Sequence, residues 1–456
     1  MELSQPANGA AMAAGAQATD YVSAMRAAAH DAQRLEQLYQ SARRAHEVSR
    51  FTTDLETVFQ ESPDNLLFAA WHFRLQEGAT GGRLGRAWVL AIGLSVALGL
   101  VLWALSQPEL TLPRGIPVLA IVWAPIIALF IIALLALAGR QLPWRLWVVA
   151  VSLAAVTAYV IAVAPYAAFP ANRPGPENDY LMLMALHVPL LAWAALGLFV
   201  LGWRSSARNR FAFLTKSIET IGTTGVYMIA GGIFAGLTYL MFEAIGVDIP
   251  NPLLRLLLVG GFGLIPLLAV ASVYDPAHSP EQQEFRRGFG RILAILMQAL
   301  LPLTLLVLVI YLAVLPFNFL APFNNRDVLI VYNVMLFAIM GLLIGVTPTT
   351  GDDFAARYQT WLRRGIVAVA ALVALVSVYA LAATVYRTTQ DALTMNRLTI
   401  IGWNAINIGI LIVLLARQFR AGNAAWIGAA QSAFRLGTRA YVVWAGFLVL
   451  ALPWLF

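Results

Sequence analysis

Long apolar stretches alternate with short polar segments from residue 87 to residue 456. A helix needs about 20 mainly apolar residues to cross the ~30 Å hydrocarbon core of a bilayer, and the stretches have that length. They lack the two-residue alternation of a membrane barrel, so they predict helices. The predicted fold is an all-α polytopic integral membrane protein with about 11 transmembrane helices. The predicted spans are 87–105, 115–138, 144–168, 180–202, 218–247, 252–273, 290–316, 327–347, 364–386, 397–416 and 438–456.

The chain before residue 83 has a different pattern and predicts two further regions. Residues 1–18 are rich in Ala, Gly, Ser and Gln and almost uncharged, which predicts a disordered tail. Residues 19–82 repeat apolar positions every three to four residues among charged ones, which predicts a small cytoplasmic helical region. This region is interpreted as a cap that covers its own apolar stripes, with a partner-docking module as the alternative. The transmembrane domain is predicted to occupy 83–456.

Three helices are predicted within the N-terminal region. The apolar spacing predicts one long amphipathic helix over 21–48. Thr53 and Glu56 resemble a capping box that opens a second helix, and Ser-Pro before 64–76 predicts a third. The glycines within 78–82 predict a flexible link into the membrane.

Basic residues alternate between the loops and predict the orientation. The N-terminal tail and every second loop after it carry 24 Lys and Arg residues, whereas the five intervening loops carry 6. Lys and Arg are retained on the cytoplasmic side of a membrane. The alternation therefore predicts a cytoplasmic N-terminus and, after eleven crossings, an external C-terminus.

Composition restricts the classes of function. Charged residues make up 12% of the chain, against about 25% in a soluble domain. The absence of Cys excludes disulfides, thiol nucleophiles and Cys-ligated metals. The formal charge of +7 lies in short loops beside membrane ends, which predicts anionic lipid headgroups as partners and no nucleic acid. Nucleotide, zinc-hydrolase and serine-hydrolase motifs are missing, so no cofactor, metal or catalytic residue is predicted. The only lysine, Lys216, is attributed to genome composition.

Charged residues near span ends are the first candidates for a site. Glu243 lies near the outer end of the fifth span and Arg255 near the outer end of the sixth. The two side chains are expected to meet across a tight hairpin. An ion pair that stabilises the hairpin is favoured over a substrate or proton site. No acid falls at the centre of a span, which argues against a conventional proton- or cation-coupled pump.

Polar side chains within the spans are the second group of candidates. Amides and hydroxyls can hydrogen-bond between helices or line a translocation path, and the first role is favoured. Asn404 and Asn407, one turn apart, share a helix face. The candidates are Thr223, Tyr227, Asn333, Asn404 and Asn407.

A third group of candidates is polar and lies in two outer loops. Five of its members are charged residues on the side that is poor in basic residues. Packed ion pairs are favoured over the mouth of an anionic-ligand site. The group comprises Asn325, Arg326, Asp327, Arg387, Asp391, Asn396 and Arg397.

One segment resembles a known family. Leu393-Thr394-Met395-Asn396-Arg397 precedes the tenth span, and a Leu-Thr-x-Asn-Arg turn opens a late membrane helix in bacterial multi-pass proteins of the domain-of-unknown-function 4153 type. The segment 357–364 and the Tyr-Asp-Pro turn at 274–276 fit less specifically. The resemblance covers roughly 210–456. It implies a multi-pass protein of the bacterial cell inner membrane, without an assigned activity or catalytic residues.

Two functions remain open, and the first is favoured. Uncharged, glycine-containing spans and a cap-like tail indicate a scaffold or accessory subunit that holds membrane-protein partners or lipids. The alternative is a permease or flippase for a small or lipidic solute, without a mid-membrane carboxylate for proton coupling. An enzyme acting on a lipid headgroup at the outer polar group is a third, more distant hypothesis.

Overall fold

A computed structural model describes residues 20–45, 47–112, 115–139, 144–163, 176–285, 288–349 and 355–456, without the side chains of 76–86, 176–179 and 326–327. The predicted disordered tail therefore lies outside the described residues. Over the described residues the chain is helical and contains no β-strand. The α-helices, numbered in chain order, are α1 Tyr21–Ala27, α2 Ala32–Arg44, α3 Val48–Glu61, α4 Leu66–Leu105, α5 Leu119–Ala138, α6 Trp144–Val163, α7 Pro176–Leu201, α8 Ala207–Ala244, α9 Asn251–Arg255, α10 Gly261–Val273, α11 Phe289–Val314, α12 Ala321–Asn324, α13 Arg326–Val346, α14 Ala356–Gln390, α15 Met395–Arg420 and α16 Trp426–Leu455.

The chain divides into two compact units, Met1–Arg86 and Ala87–Phe456. In the first unit, helices α1 to α3 and the start of α4 bury an aromatic-rich core. Phe51 is fully buried, and its ring contacts the rings of Tyr21, Tyr39 and Trp71 at centroid distances of 5.7, 5.6 and 6.3 Å. Helices α1 to α3 have 7, 13 and 14 residues and are too short to be stable alone in water, so this shared core stabilises them.

The helix boundaries of this unit differ from the prediction. The single helix expected over 21–48 is two helices, because the Asp31 carboxylate accepts a hydrogen bond from Arg34 N at 2.9 Å and starts α2 after a turn. Thr53 does not cap a helix: it lies inside α3, and its hydroxyl donates to Ser49 O. The third helix begins at Leu66 and not at 64, because Asn65 supplies the cap. The link predicted at 78–82 is helical, within α4.

The second unit contains eleven helices or helix pairs long and apolar enough to cross a membrane. This confirms the predicted all-α, multi-pass membrane architecture among the described residues. The candidate spans are Ala87–Leu105, Leu119–Ala138, Trp144–Val163, Tyr180–Leu201, Ala207–Ala244, Asn251–Val273, Phe289–Asn318, Val328–Val346, Ala356–Gln390, Met395–Arg420 and Trp426–Leu455.

The main core of this unit lies among α13, α14, α15 and α16. Its centre is aliphatic, with Leu343, Ile366, Leu411 and Leu414 fully buried. Close helix approach depends on small residues: a Cβ at Gly437 would overlap the side chain of Ile410 on α15. Small residues at helix interfaces allow the dispersion contacts that hold helices together in lipid, where burial of apolar surface contributes little.

Helices α8 and α11 are the least covered membrane helices. Only 6% of the most apolar part of α8 and 11% of that of α11 is buried inside the protein, against 44% for α14 and for α15. The C-terminal half of α8 packs mainly on α10, where Tyr227 OH lies 2.8 Å from Ser272 Oγ. Both helices therefore lie at the periphery of the membrane unit.

Candidate functional site

The most heavily charged buried position of the membrane unit is the N-terminal third of α8. Ser206 caps this helix by accepting a hydrogen bond from Asn209 N at 3.0 Å. Lys216 and Glu219 follow one turn apart, so both project from the same side. They are 4% and 7% exposed, and the distance from Lys216 Nζ to Glu219 Oε2 is 2.8 Å. A buried ion pair of this kind needs further partners to offset the loss of hydration.

The Lys216 ammonium finds those partners on the segment that links α10 to α11. It donates to Val273 O at 3.3 Å and to Glu284 O, besides the Glu219 carboxylate. The ring of Phe285 lies below it, with its centroid 4.9 Å from Nζ. An ammonium has three donors, and all three are used here. Lys216 therefore joins α8 to the end of α10 and to the segment that precedes α11.

The Glu219 carboxylate lies against the first turn of α11. A Cβ at Gly290 would overlap its Oε1, so only glycine leaves room for the carboxylate at that position. Helix N-termini carry partial positive charge and C-termini partial negative charge. The anionic Glu219 meets the N-terminus of α11, and the cationic Lys216 meets the C-terminus of α10. Each charge thus faces the helix end that stabilises it.

Residues 274–285, called the α10–α11 loop below, fold over this pair. Asp275 pairs with His278 at 2.8 Å, and Gln283 binds the backbone of Asp275 through its amide. Glu281 N donates to Asn209 Oδ1 at 3.0 Å, which ties the loop to α8. Burial, and then the neighbouring Asp275 carboxylate, raise the pKa of the Tyr274 phenol above its ordinary value.

The contacts of the Lys216–Glu219 pair fix the helices to one another. Every donor of Lys216 is occupied and the pair has no net charge, so neither group is presented to a ligand. No group of three or more His, Cys, Asp or Glu side chains in the described ranges is arranged to hold a metal ion. The site joins α8, α10 and α11 at one end of the membrane.

The predicted hairpin pair is not formed. Arg255 donates to Ser106 Oγ and to Trp103 O, both at 3.2 Å, at the C-terminal end of α4. Those last-turn carbonyls carry partial negative charge and attract the guanidinium. Glu243 is exposed and forms no ion pair with any residue that the structure describes.

The intramembrane polar candidates do not converge on one place. Thr223 donates to Glu219 O and Asn333 to Leu329 O, each within its own helix. Asn404 and Asn407 are 1% and 0% exposed. Tyr441 OH on α16 donates to Asn407 Oδ1. The Nδ2 atoms of both asparagines have no hydrogen-bond partner among the described residues.

The outer polar group is brought together only in part. Arg397 Nη2 lies 2.6 Å from Asp391 Oδ2, and Nη1 donates to Ala392 O at 2.8 Å. Arg387 Nη1 is buried without a partner in the described part of the chain. The side chains of Arg326 and Asp327 lie outside the described residues. Asn325 is exposed, and Asn396 is half-buried. The Arg397–Asp391 ion pair is partly exposed, with 66% of the Asp391 side chain accessible to solvent.

Two contacts were missed by sequence reasoning. A single lysine three residues before an acid, at the start of a span, was the available signal for Lys216 and Glu219. His187 accepts a hydrogen bond at Nε2 from Trp403 Nε1 at 3.0 Å, which joins α7 to α15. Nothing in the local sequence pairs residues this far apart along the chain.

Comparison of the chain with protein-family models, curated proteins and solved structures found no match. The resemblance to the domain-of-unknown-function 4153 type therefore stays a prediction.

Proposed function

We propose that this multi-pass membrane protein is a scaffold or accessory subunit that binds a transmembrane helix of a partner protein along α8. The observation that carries the proposal is the contrast between the two halves of this helix. Its N-terminal third is fixed by the buried Lys216–Glu219 pair, whereas its C-terminal half is almost uncovered. A helix that is firmly positioned and laterally open presents a defined surface.

One face of α8 has the features of a helix-binding surface. Around Gly225 and Gly236 no atom lies within 4 Å of the position that a Cβ would occupy. Glu243 follows Gly225 by 18 residues, which is five turns at 3.6 residues per turn, so it lies on the same face. Small residues allow close approach of a second helix. The Glu243 carboxylate, which has no ion-pair partner among the described residues, selects a partner helix that brings a cationic side chain to the same depth.

The polar candidates support this proposal over transport. A permease needs polar side chains that share one path, but Thr223 and Asn333 bond to their own helices on α8 and α13. Asn404 and Asn407 are buried within the packed core on α15. The alternation of basic loops supports a cytoplasmic N-terminus, and we propose a bacterial inner membrane as its location.

The natural absence of Cys allows a direct test. Two variants are labelled in native membranes with a benzophenone maleimide. Gly236→Cys is the test variant, and Phe234→Cys is the matched control. Residues two apart point to nearly opposite sides of a helix, and Phe234 is 66% exposed. Irradiation is expected to give a discrete protein adduct from position 236 and only lipid adducts from position 234.

The identity and charge of the adduct decide the outcome. The captured protein, identified by mass spectrometry, should contain a transmembrane helix with Lys or Arg near one end. Glu243→Arg should abolish the adduct, and an acid at the partner's basic position should restore it. Equal adducts from both positions, or an adduct with a second copy of this chain, would contradict the proposal.

A further inference from the structure

A cavity of about 220 Å³ lies where the ends of three membrane helices meet the α10–α11 loop. Leu135 of α5 and Phe199 of α7 form an apolar wall, and residues 274–280 form the opposite, polar side. Arg145, in the first turn of α6, also lines the cavity. A cavity with an apolar wall, a polar loop and a guanidinium suits an amphipathic ligand at a membrane boundary.

The Arg145 guanidinium is half-buried and forms no hydrogen bond or ion pair with any residue in the described ranges. Its position is set by Gly202, which has φ +65° and lies directly against Nη1, so that a Cβ there would overlap the guanidinium. An Arg side chain stays charged and presents five donors in a planar fork that matches a phosphate or carboxylate.

The loop side of the cavity is held in one conformation by internal bonds. Tyr274 OH donates to His278 O at 3.3 Å, and Ser279 Oγ lies 3.0 Å from Gln282 Oε1. Asp275, the acid of this segment, already accepts from Ala277 N at 2.9 Å and contacts His278. Its carboxylate is therefore engaged within the loop and does not pair with Arg145.

We propose that this cavity binds a phosphate ester, with Arg145 as its bidentate partner and the headgroup of an anionic phospholipid as its source. Ligand sites for drug-sized molecules occupy roughly 300–1,000 Å³, so this cavity admits a headgroup phosphate and not a whole nucleotide. The apolar side chains of Leu135 and Phe199 lie beside the guanidinium at the ends of two membrane helices, which favours a lipid over a free phosphate. The site is independent of the partner surface proposed for α8.

The test measures thermal protection of the purified full-length protein by three probes. Dioctanoyl phosphatidic acid carries the phosphate on a lipid, inorganic phosphate carries it alone, and dioctanoyl phosphatidylcholine carries it without net negative charge. Arg145→Gln is the test variant. Arg204→Gln removes an exposed arginine that does not line the cavity, and it is the matched control.

Phosphatidic acid is expected to raise the melting temperature saturably, and Arg145→Gln should weaken its apparent affinity about tenfold, as loss of a charge-assisted hydrogen-bond pair implies. Arg204→Gln should leave the affinity unchanged. If inorganic phosphate also protects the protein, and Arg145→Gln loses that protection, the cavity is still a phosphate site but its ligand is a soluble phosphate. Equal affinity in wild type and Arg145→Gln would overturn the proposal.

A second variant covers the case in which Arg145→Gln fails to fold. Ala277→Leu keeps the guanidinium and narrows the cavity from the loop side, where Ala277 is exposed. Weaker phosphatidic acid binding in this variant supports the site. Unchanged binding, with the entrance obstructed, contradicts it.

Discussion

The α14–α16 core and the α8–α11 periphery of the membrane unit use the same residue types in opposite ways. In the core, Gly402 lies against the ring of Trp444 and Gly437 against the side chain of Ile410, so each glycine allows close contact. At the periphery, Gly225 and Gly236 face open space. The buried asparagines of α15 belong to the core. The only buried ion pair in the described membrane spans, Lys216–Glu219, lies on α8.

This difference shows two ways to hold a helix in an apolar solvent. The core relies on many dispersion contacts along the whole length of its helices. Helix α8 packs on α10 and is fixed at one end by the fully satisfied Lys216–Glu219 pair, while most of its C-terminal half is uncovered. A helix with so little covered surface should depend strongly on that one charged connection, whereas a helix packed along its length should not.

The largest effect is expected from Lys216→Met. The substitution leaves the Glu219 carboxylate buried without its partner, and breaking a buried pair in this way costs about 3–5 kcal/mol. The free energy of unfolding, measured by titration with sodium dodecyl sulfate in mixed micelles, should fall by that amount. The double variant Lys216→Met/Glu219→Leu should recover most of the loss, because no charge remains unpaired. Equal losses in the single and double variants would show that packing, and not charge, joins α8 to α10.

A smaller effect should separate the two kinds of glycine. Gly402→Ala places a methyl group against the Trp444 ring, which stacks on Phe447 at 5.1 Å and has little room to move. Overpacking of this kind costs about 1–3 kcal/mol. Gly236→Ala adds the same methyl group to open space and should cost nothing in the isolated protein. Similar losses in both variants would remove the distinction between core and periphery.

The sequence predicted the membrane spans well because lipid imposes a simple rule. A span must be about 20 residues long and apolar, and both properties are local. The same reasoning could not predict the candidate site. Lys216 depends on carbonyls at Val273 and Glu284, more than 50 residues away, and those loop conformations leave no periodic signal.

The contacts of the glycines and of Arg255 could not be predicted for the same reason, since they depend on neighbours that are distant along the chain. The meaning of a glycine depends on its neighbour in space, so Gly236 and Gly402 cannot be distinguished from their local sequences. Arg255 was expected to contact Glu243 because both lie near one predicted hairpin. The guanidinium instead reaches Trp103 O, since a helix C-terminus offers carbonyl acceptors that sequence reasoning did not count.

The smallest effect is expected from the buried amides. Asn407→Leu removes the acceptor of the Tyr441 hydroxyl between α15 and α16, and interhelical bonds of this kind contribute on average about 0.6 kcal/mol and at most about 1.7 kcal/mol in membranes. Part of this loss is offset, because the Asn407 Nδ2 atom has no partner in the described part of the chain. Asn333→Leu is the matched control, since that amide donates to Leu329 O of its own helix and to no other residue that the structure describes. Unfolding titrations should therefore show a small loss for Asn407→Leu and none for Asn333→Leu. A loss for Asn407→Leu as large as that for Lys216→Met would mean that the core, too, depends on a single polar contact.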